Sequence, residues 1–203
     1  MTITCKKIND IEVKKVNLPK TNPEDIKGYK MIPELYSNIY LCAKKNSGKT
    51  TVLFNILKNC INKFTHVYFF VSTLYRDDTY KKIIDWLDSK DIGHTDHLSL
   101  YDGRNDILAV ILNELYNQAD LDEEKHIKAD ELDKLYGKII NYSETDTEIK
   151  IVIKKPKKKT PEVCFVFDDL SGEIRTSQSL RRLLKMNRHI KSKTIVSSQY
   201  VSE

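Results

Sequence analysis

Two stretches of this chain are apolar without alternation, His66 to Ser72 (HVYFFVS) and Val163 to Phe167 (VCFVF). A strand with one wet face alternates apolar and polar residues, so unbroken runs of β-branched and aromatic residues mark strands covered on both faces. Double cover needs helices on both sides of a sheet, and amphipathic patterns lie between the runs. Val52, Leu53, Ile56, Leu57 and Cys60 recur at helical spacing. Thr79 to Leu87 (through Ile83, Ile84 and Leu87), Ile107 to Tyr116, and Ser177 to Asn187 (through Leu180, Leu183 and Leu184) repeat that pattern. Further strands are expected at Ser37–Cys42 and Lys193–Ser198. Apolar strands alternating with such helices predict an α/β fold with a central, mostly parallel sheet flanked by helices.

The 203 residues, 40% of them hydrophobic, suit a single domain spanning 1–203. Residues 1–35 read as an N-terminal extension. In it Ile8, Ile11, Val13, Val16 and Leu18 suggest one or two edge strands, ended by Pro19 and the Thr21–Asn22–Pro23 turn signal. Residues from about 117 to 160 read as an inserted polar segment, partly helical around Ile127, Leu132 and Leu135, followed by the alternating stretch Glu148–Ile153 and the run Lys154–Lys159. That lysine run suits a solvated loop or a loop facing nucleic acid. The net charge of +5 permits a polyanionic partner without demonstrating one.

Cys5, Cys42, Cys60 and Cys164 are scattered, with no metal-type pairing. Cys42 and Cys164 lie in apolar runs, so buried free thiols in a reducing compartment are expected. Residues 1–20 lack an apolar signal core, and no apolar run approaches the ~18 residues of a membrane span. A soluble, intracellular protein with no membrane partner is expected.

Ala43-Lys44-Lys45-Asn46-Ser47-Gly48-Lys49-Thr50 matches the Walker A pattern, with Ala43 where the first glycine usually stands. An expected strand precedes it, and an expected helix follows from Thr50 onward. Backbone amides at such a helix N-terminus grip phosphate, because unpaired donors and the helix dipole converge there. Gly48 allows close approach, Lys49 supplies charge to the β- and γ-phosphates, and the Thr50 hydroxyl can ligate Mg²⁺. ATP and Mg²⁺ are the expected ligands. Ala43 costs more than glycine only if its φ is positive.

Asp168–Asp169, ending the VCFVF strand some 120 residues later, is a Walker B candidate. Asp168 would hold the metal's water shell, and Asp169 would polarise the attacking water. Gln199 ends a further strand, where its amide can reach a γ-phosphate or that water. Arg175, Arg181, Arg182 and Arg188 are candidates to stabilise transition-state charge, including across a subunit boundary. His66 and His189 have no metal-type partner spacing.

Three segments together, LCAKKNSGKTTVLFNIL, VCFVFDDLSGE and NRHIKSKTIVSSQ, resemble the DNA-packaging ATPases of large double-stranded DNA viruses, the poxvirus-type branch of the HerA/FtsK superfamily. The likeness covers roughly 36–72 and 160–200. Its most specific part is the trio of Asp-Asp, the Arg188–His189 pair before the next strand, and Gln199 at that strand's end. Two positions depart from the pattern: Asn187 stands where glycine usually precedes the Arg-His pair, and Ala43 is the other.

The resemblance implies a RecA-like ASCE sheet and an ATP-driven double-stranded-DNA translocase that packages a viral genome. It also implies a homo-oligomeric, hexameric ring at a capsid or portal vertex, in host cytoplasm (a viral factory) or virion. Under it, Ala43 to Thr51 bind nucleotide, Thr50 and Asp168 serve the metal, and Asp169, Gln199 and Arg188 serve catalysis. A full ASCE core has another strand and helix after the Gln199 strand. The N-terminal strands would then complete the sheet, or Glu203 would truncate a longer ATPase. Two other readings remain: a helicase-like or replication ATPase of the same superfamily, and a nucleotide-binding adaptor that does not turn over. A small-molecule kinase fits least, since no arginine-rich lid segment is evident.

Overall fold

The computed structural model describes residues 22–136 and 158–198. The strands expected within 1–20, the stretch Glu148–Ile153, the first four residues of the lysine run, Cys5 and Gln199 lie outside the described residues.

Five strands form one parallel sheet: β1 (Asn38–Cys42), β2 (His66–Val71), β3 (His94–His97), β6 (Val163–Asp168) and β7 (Ser192–Ser198). Their order is β1-β7-β6-β2-β3, and every neighbouring pair is parallel. The result is an α/β fold with a central parallel sheet flanked by helices, compatible with a RecA-like fold. The short strands β4 (Tyr101–Asp102) and β5 (Asn105–Asp106) pair separately as a hairpin.

Strand alternation sorts the core into two layers. On one face Val67, Phe69 and Val71 of β2 and Cys164 and Val166 of β6 meet α1 (Lys49–Cys60) and α2 (Asp78–Ser89). Helix α1 contributes Leu53, Ile56, Leu57 and Cys60, one stripe at helical spacing. On the other face Phe70, Phe165 and Phe167 meet α3 (Ile107–Tyr136), α4 (Ser171–Thr176) and α5 (Gln178–Met186). Phe70 and Phe167 stack there with centroids 5.2 Å apart. All six residues of β6 are buried, as its unbroken apolar run requires.

Local caps explain where helices begin. Asp77 accepts a hydrogen bond from Thr79 N at the start of α2, and Ser177 accepts one from Leu180 N at the start of α5. Helix α1 has no side-chain cap; Gly48 precedes it in a left-handed conformation.

Several expectations change. The helix expected to end at Tyr116 runs on to Tyr136 as α3, so the polar segment starts inside a helix. Residues 117–136 hold Ala, Leu, Glu, Lys and Gln and neither Gly nor Pro, so nothing interrupts the backbone even where the apolar stripe fades. Strand β3 (HTDH) carries no apolar pattern. His66 Nε2 pairs with Thr95 Oγ1 at 2.8 Å, and His94 contacts Asp96 at 3.1 Å and Asp88 at 3.2 Å. Cys60 and Cys164 are buried, but Cys42 is exposed. Strand β1 has a sheet neighbour on one side among the described residues, and the side chains of Asn38, Tyr40 and Cys42 are exposed. Among the described residues no helix is long and apolar enough to cross a membrane.

Candidate functional site

In parallel sheets, polar groups gather where strands end and helices begin. Here β1 ends at Cys42 and the chain climbs through Ala43, Lys44 and Lys45 before turning into α1. Two left-handed residues make the turn, Asn46 with φ 61° and Gly48 with φ 85°. A Cβ at residue 48 would meet no neighbour, so glycine is required there by its dihedral rather than by crowding. Ala43 is not among the positive-φ residues, so the first position of the motif needs no glycine freedom. Ser47 Oγ donates to Lys44 O at 2.6 Å, tightening the loop. The half-buried Lys49 ammonium folds back to donate to Ala43 O at 2.9 Å.

Asp168 and Asp169 are neighbours in sequence and opposites in environment. Asp168 shares the strand parity of Cys164 and Val166, so its carboxylate points to the α1 and α2 side. It is 4% exposed. Its Oδ2 accepts from Tyr80 OH of α2 at 2.7 Å, and its Oδ1 from Asp169 N at 3.1 Å. Burial pushes this carboxyl above the usual carboxylate range. The Ser197 and Tyr80 hydroxyls pull it back, the Asp169 charge pushes it up, and the Lys49 charge draws it down. Burial also pushes the Tyr80 phenol up, with Asp168 adding to the effect, so the phenol stays a proton donor to the carboxylate.

Asp169 is exposed and sits in the left-handed region at φ 56°, which Asp tolerates better than most residues. The end of β2 holds it: Ser72 Oγ donates to its carbonyl at 3.0 Å and Thr73 Oγ1 to its Oδ2 at 3.3 Å. The β2–β6 register, with Val71 opposite Asp168, places residues 72–80 beside the two acids.

These elements enclose a cleft of about 380 Å³, within the usual range of small-molecule sites. Residues Lys45 to Thr51 line one side and Asp168 and Asp169 the other, with Asp77 and Thr79 at the start of α2 between them. Ala43 and Lys44 form the stem of the loop and are not part of the lining. No family model, curated protein or solved structure matches this chain. The cleft's chemistry therefore rests on its own atoms.

The remaining expected residues separate. Arg188 lies in the turn after α5, where Lys191 N donates to its carbonyl at 3.2 Å, just before β7 begins. Ser192 pairs with Val163 and Ser197 with Asp168, so the start of β7 is five residues, roughly 16 Å, from the level of the cleft. Arg188 is therefore no part of this chain's own cleft, which corrects any same-subunit role. Arg175, Arg181 and Arg182 are exposed on α4 and α5, across the sheet from α1.

Sequence reading missed Asp77, Thr79 and Tyr80. An Asp-x-Thr start followed by an apolar stripe is legible as a helix beginning. Its meeting with Asp168 depends on strand pairing, which leaves no local mark.

Among the described residues no three His, Cys, Asp or Glu side chains gather as a metal site. Thr50 and Asp168, both hard oxygen donors, face the same cleft. One or two protein oxygens beside a phosphate's own suit Mg²⁺ rather than a cation caged wholly by protein.

Proposed function

We propose that this chain is a P-loop ATPase that hydrolyses ATP to move double-stranded DNA. One observation carries the nucleotide reading: a loop with two left-handed residues and a lysine, leading into a helix, opens onto the Asp168–Asp169 pair in a single cleft. Left-handed residues in a loop turn successive amides to one side, which suits an anion. A dipole and unpaired amides at the start of the 12-residue α1 add to that.

In this reading the Lys49 ammonium leaves Ala43 O for the β- and γ-phosphates, and amides from Lys45 to Thr51 hold the remaining oxygens. Bound Mg²⁺, held by Thr50 and Asp168, would neutralise charge on the phosphates. Asp169, exposed and steered by Ser72 and Thr73, accepts the proton of the attacking water. Gln199 as γ-phosphate sensor and Arg188 acting on a neighbouring subunit's nucleotide are proposals drawn from the family resemblance. So are the hexameric ring, genome packaging at a capsid or portal vertex, and the viral-factory or virion setting.

The deciding experiment is Mg²⁺-dependent ATP hydrolysis with and without duplex DNA. Asp169→Asn is expected to lower kcat by about 10²–10⁴-fold with nucleotide binding retained. Folded Asp169→Asn protein that hydrolyses at the original rate would remove Asp169 from catalysis. A second reading, a nucleotide-binding adaptor without turnover, is favoured by the pairing of both Asp168 oxygens within the protein. Tight binding of ATP with no hydrolysis on any DNA would select it.

A further inference from the structure

Helix α5 is amphipathic in an unusual way. Leu180 and Leu183 face the core, while Gln178, Arg181, Arg182 and Lys185 face solvent at helical spacing. From Arg175 to Arg188 the chain has five basic residues and no acid, a charge equal to the formal excess of +5 on the whole chain.

Among the described residues, the side-chain contacts of Arg181 and Arg182 are with neutral partners. Arg181 donates to the Arg175 carbonyl at 3.0 Å. Arg182 donates to Asn113 Oδ1 at 3.1 Å and lies over the Tyr116 ring, 4.6 Å from its centroid. Glu173, the nearest acid before the segment, is turned elsewhere: its carboxylate accepts from Ser99 Oγ at 2.9 Å and Leu100 N at 2.7 Å. A lysine near a helix C-terminus is stabilised by the helix dipole, which accounts for Lys185 but not for Arg181 and Arg182 in the middle of α5.

We propose that the outer face of α5, built on Arg181, Arg182 and Lys185 with Arg175 beside them, is a docking surface for the phosphate backbone of duplex DNA. The choice of DNA among polyanions rests on the translocase reading above; the charge argument does not. Residues 181 and 185 lie about 6 Å apart along the helix axis, comparable with two phosphate steps of about 3.4 Å along one strand of a duplex. Guanidinium groups braced by neutral partners present their forks to phosphate with little further ordering. The face lies across the sheet from Lys49, so DNA and nucleotide do not compete for space. Only Leu170, itself buried, separates Asp169 from α4, and Ser177 alone separates α4 from α5.

The test measures binding of a fluorescent duplex to the full chain without nucleotide, over a salt series. Arg181→Ala/Arg182→Ala/Lys185→Ala is expected to weaken binding about tenfold or more and to lower the slope of log K against log salt by about 3. The charge-keeping pair Arg181→Lys/Arg182→Lys is expected to keep the wild-type slope. Lys185→Glu alone, at an exposed position, is expected to lower the slope if the triple variant does not fold. Unchanged slope and affinity in the folded triple variant overturn the proposal. A wild-type chain that prefers polyglutamate to duplex overturns it too, in favour of an acidic protein partner. Because no ATP is present, loss of hydrolysis refutes the ATPase reading without touching this result.

Discussion

Strands β6 and β7 between them carry ionisable groups at both ends of the sheet, and the protein treats the two ends in opposite ways. At the C-terminal end, Asp168 is buried but borders a cleft, and the adjoining Asp169 reaches solvent. At the N-terminal end, the Lys193 ammonium is 1% exposed and donates to Glu34 O at 2.7 Å and to Ser37 Oγ at 2.9 Å. Cys164 lies opposite it in register, its thiol pushed up to about 12 by burial and thereby kept neutral. Nearby, Lys27 donates to the Ile61 carbonyl. A cation whose donors are taken up by a backbone carbonyl and a buried hydroxyl ties segments together, here residues 34–37 to the sheet. A cation such as Lys49, held by one loop carbonyl at the rim of a cleft, can exchange that partner for a ligand. The same residue type thus serves cohesion at one end and, in the proposed function, recognition at the other.

Lys49→Ala gives the sharpest break. Nucleotide affinity is expected to fall about a hundredfold, as for a lost charged hydrogen bond, while the thermal midpoint stays put. Titration calorimetry beside a melting curve checks both, and a large drop in the midpoint would mean that the cleft end is structural too.

Tyr80→Phe probes the border between the two behaviours. It strips one partner from buried Asp168 and is expected to cost about 2 kcal/mol in urea unfolding. It should also weaken Mg²⁺-nucleotide binding more than metal-free nucleotide binding. Equal effects on both would make Tyr80 purely a packing residue.

Lys193→Met tests the far end with the smallest effect. Burial holds the folded pKa of Lys193 below its ordinary 10.5. Between the two values the unfolded chain binds more protons, so wild-type stability gains with rising pH relative to the variant. The gain is a fraction of about 1.4 kcal/mol per pH unit, complete only above the unfolded value. Parallel stability curves for the two proteins would show that Lys193 titrates alike folded and unfolded.

Legibility in the sequence followed the same physics. The β2 and β6 runs were readable because double burial demands apolar residues at every position. Strand β3 was not, since its His and Asp side chains meet neighbours only after β2 is in place. The Asn46–Thr50 turn and the acid pair were readable one by one, as local patterns. Their meeting, and the arrival of Asp77, Thr79 and Tyr80 between them, follows from the β2–β6 register. The polar segment was legible as partly helical, but not its unbroken continuation of α3, because apolar periodicity reports what a helix packs against, and a helix can outrun its packing. Arg188 was legible as lying before β7, but its distance from the cleft follows from the β6–β7 register, which sets Ser192 beside Val163 and Ser197 beside Asp168.

The sheet order has a consequence for synthesis. Asn38 pairs with Thr194, and among the described residues β7 is the only strand beside β1. At about 5–20 residues per second a ribosome needs roughly 8–30 s between making the one and the other. For that interval the strand leading into the Lys49 loop has no sheet to join, and a nascent chain in this state exposes an open edge. Contacts of such long reach also slow folding once the chain is free. Strand β1, and the Lys49 loop that follows it, therefore gain their sheet pairing only after Ser192–Ser198 has been made.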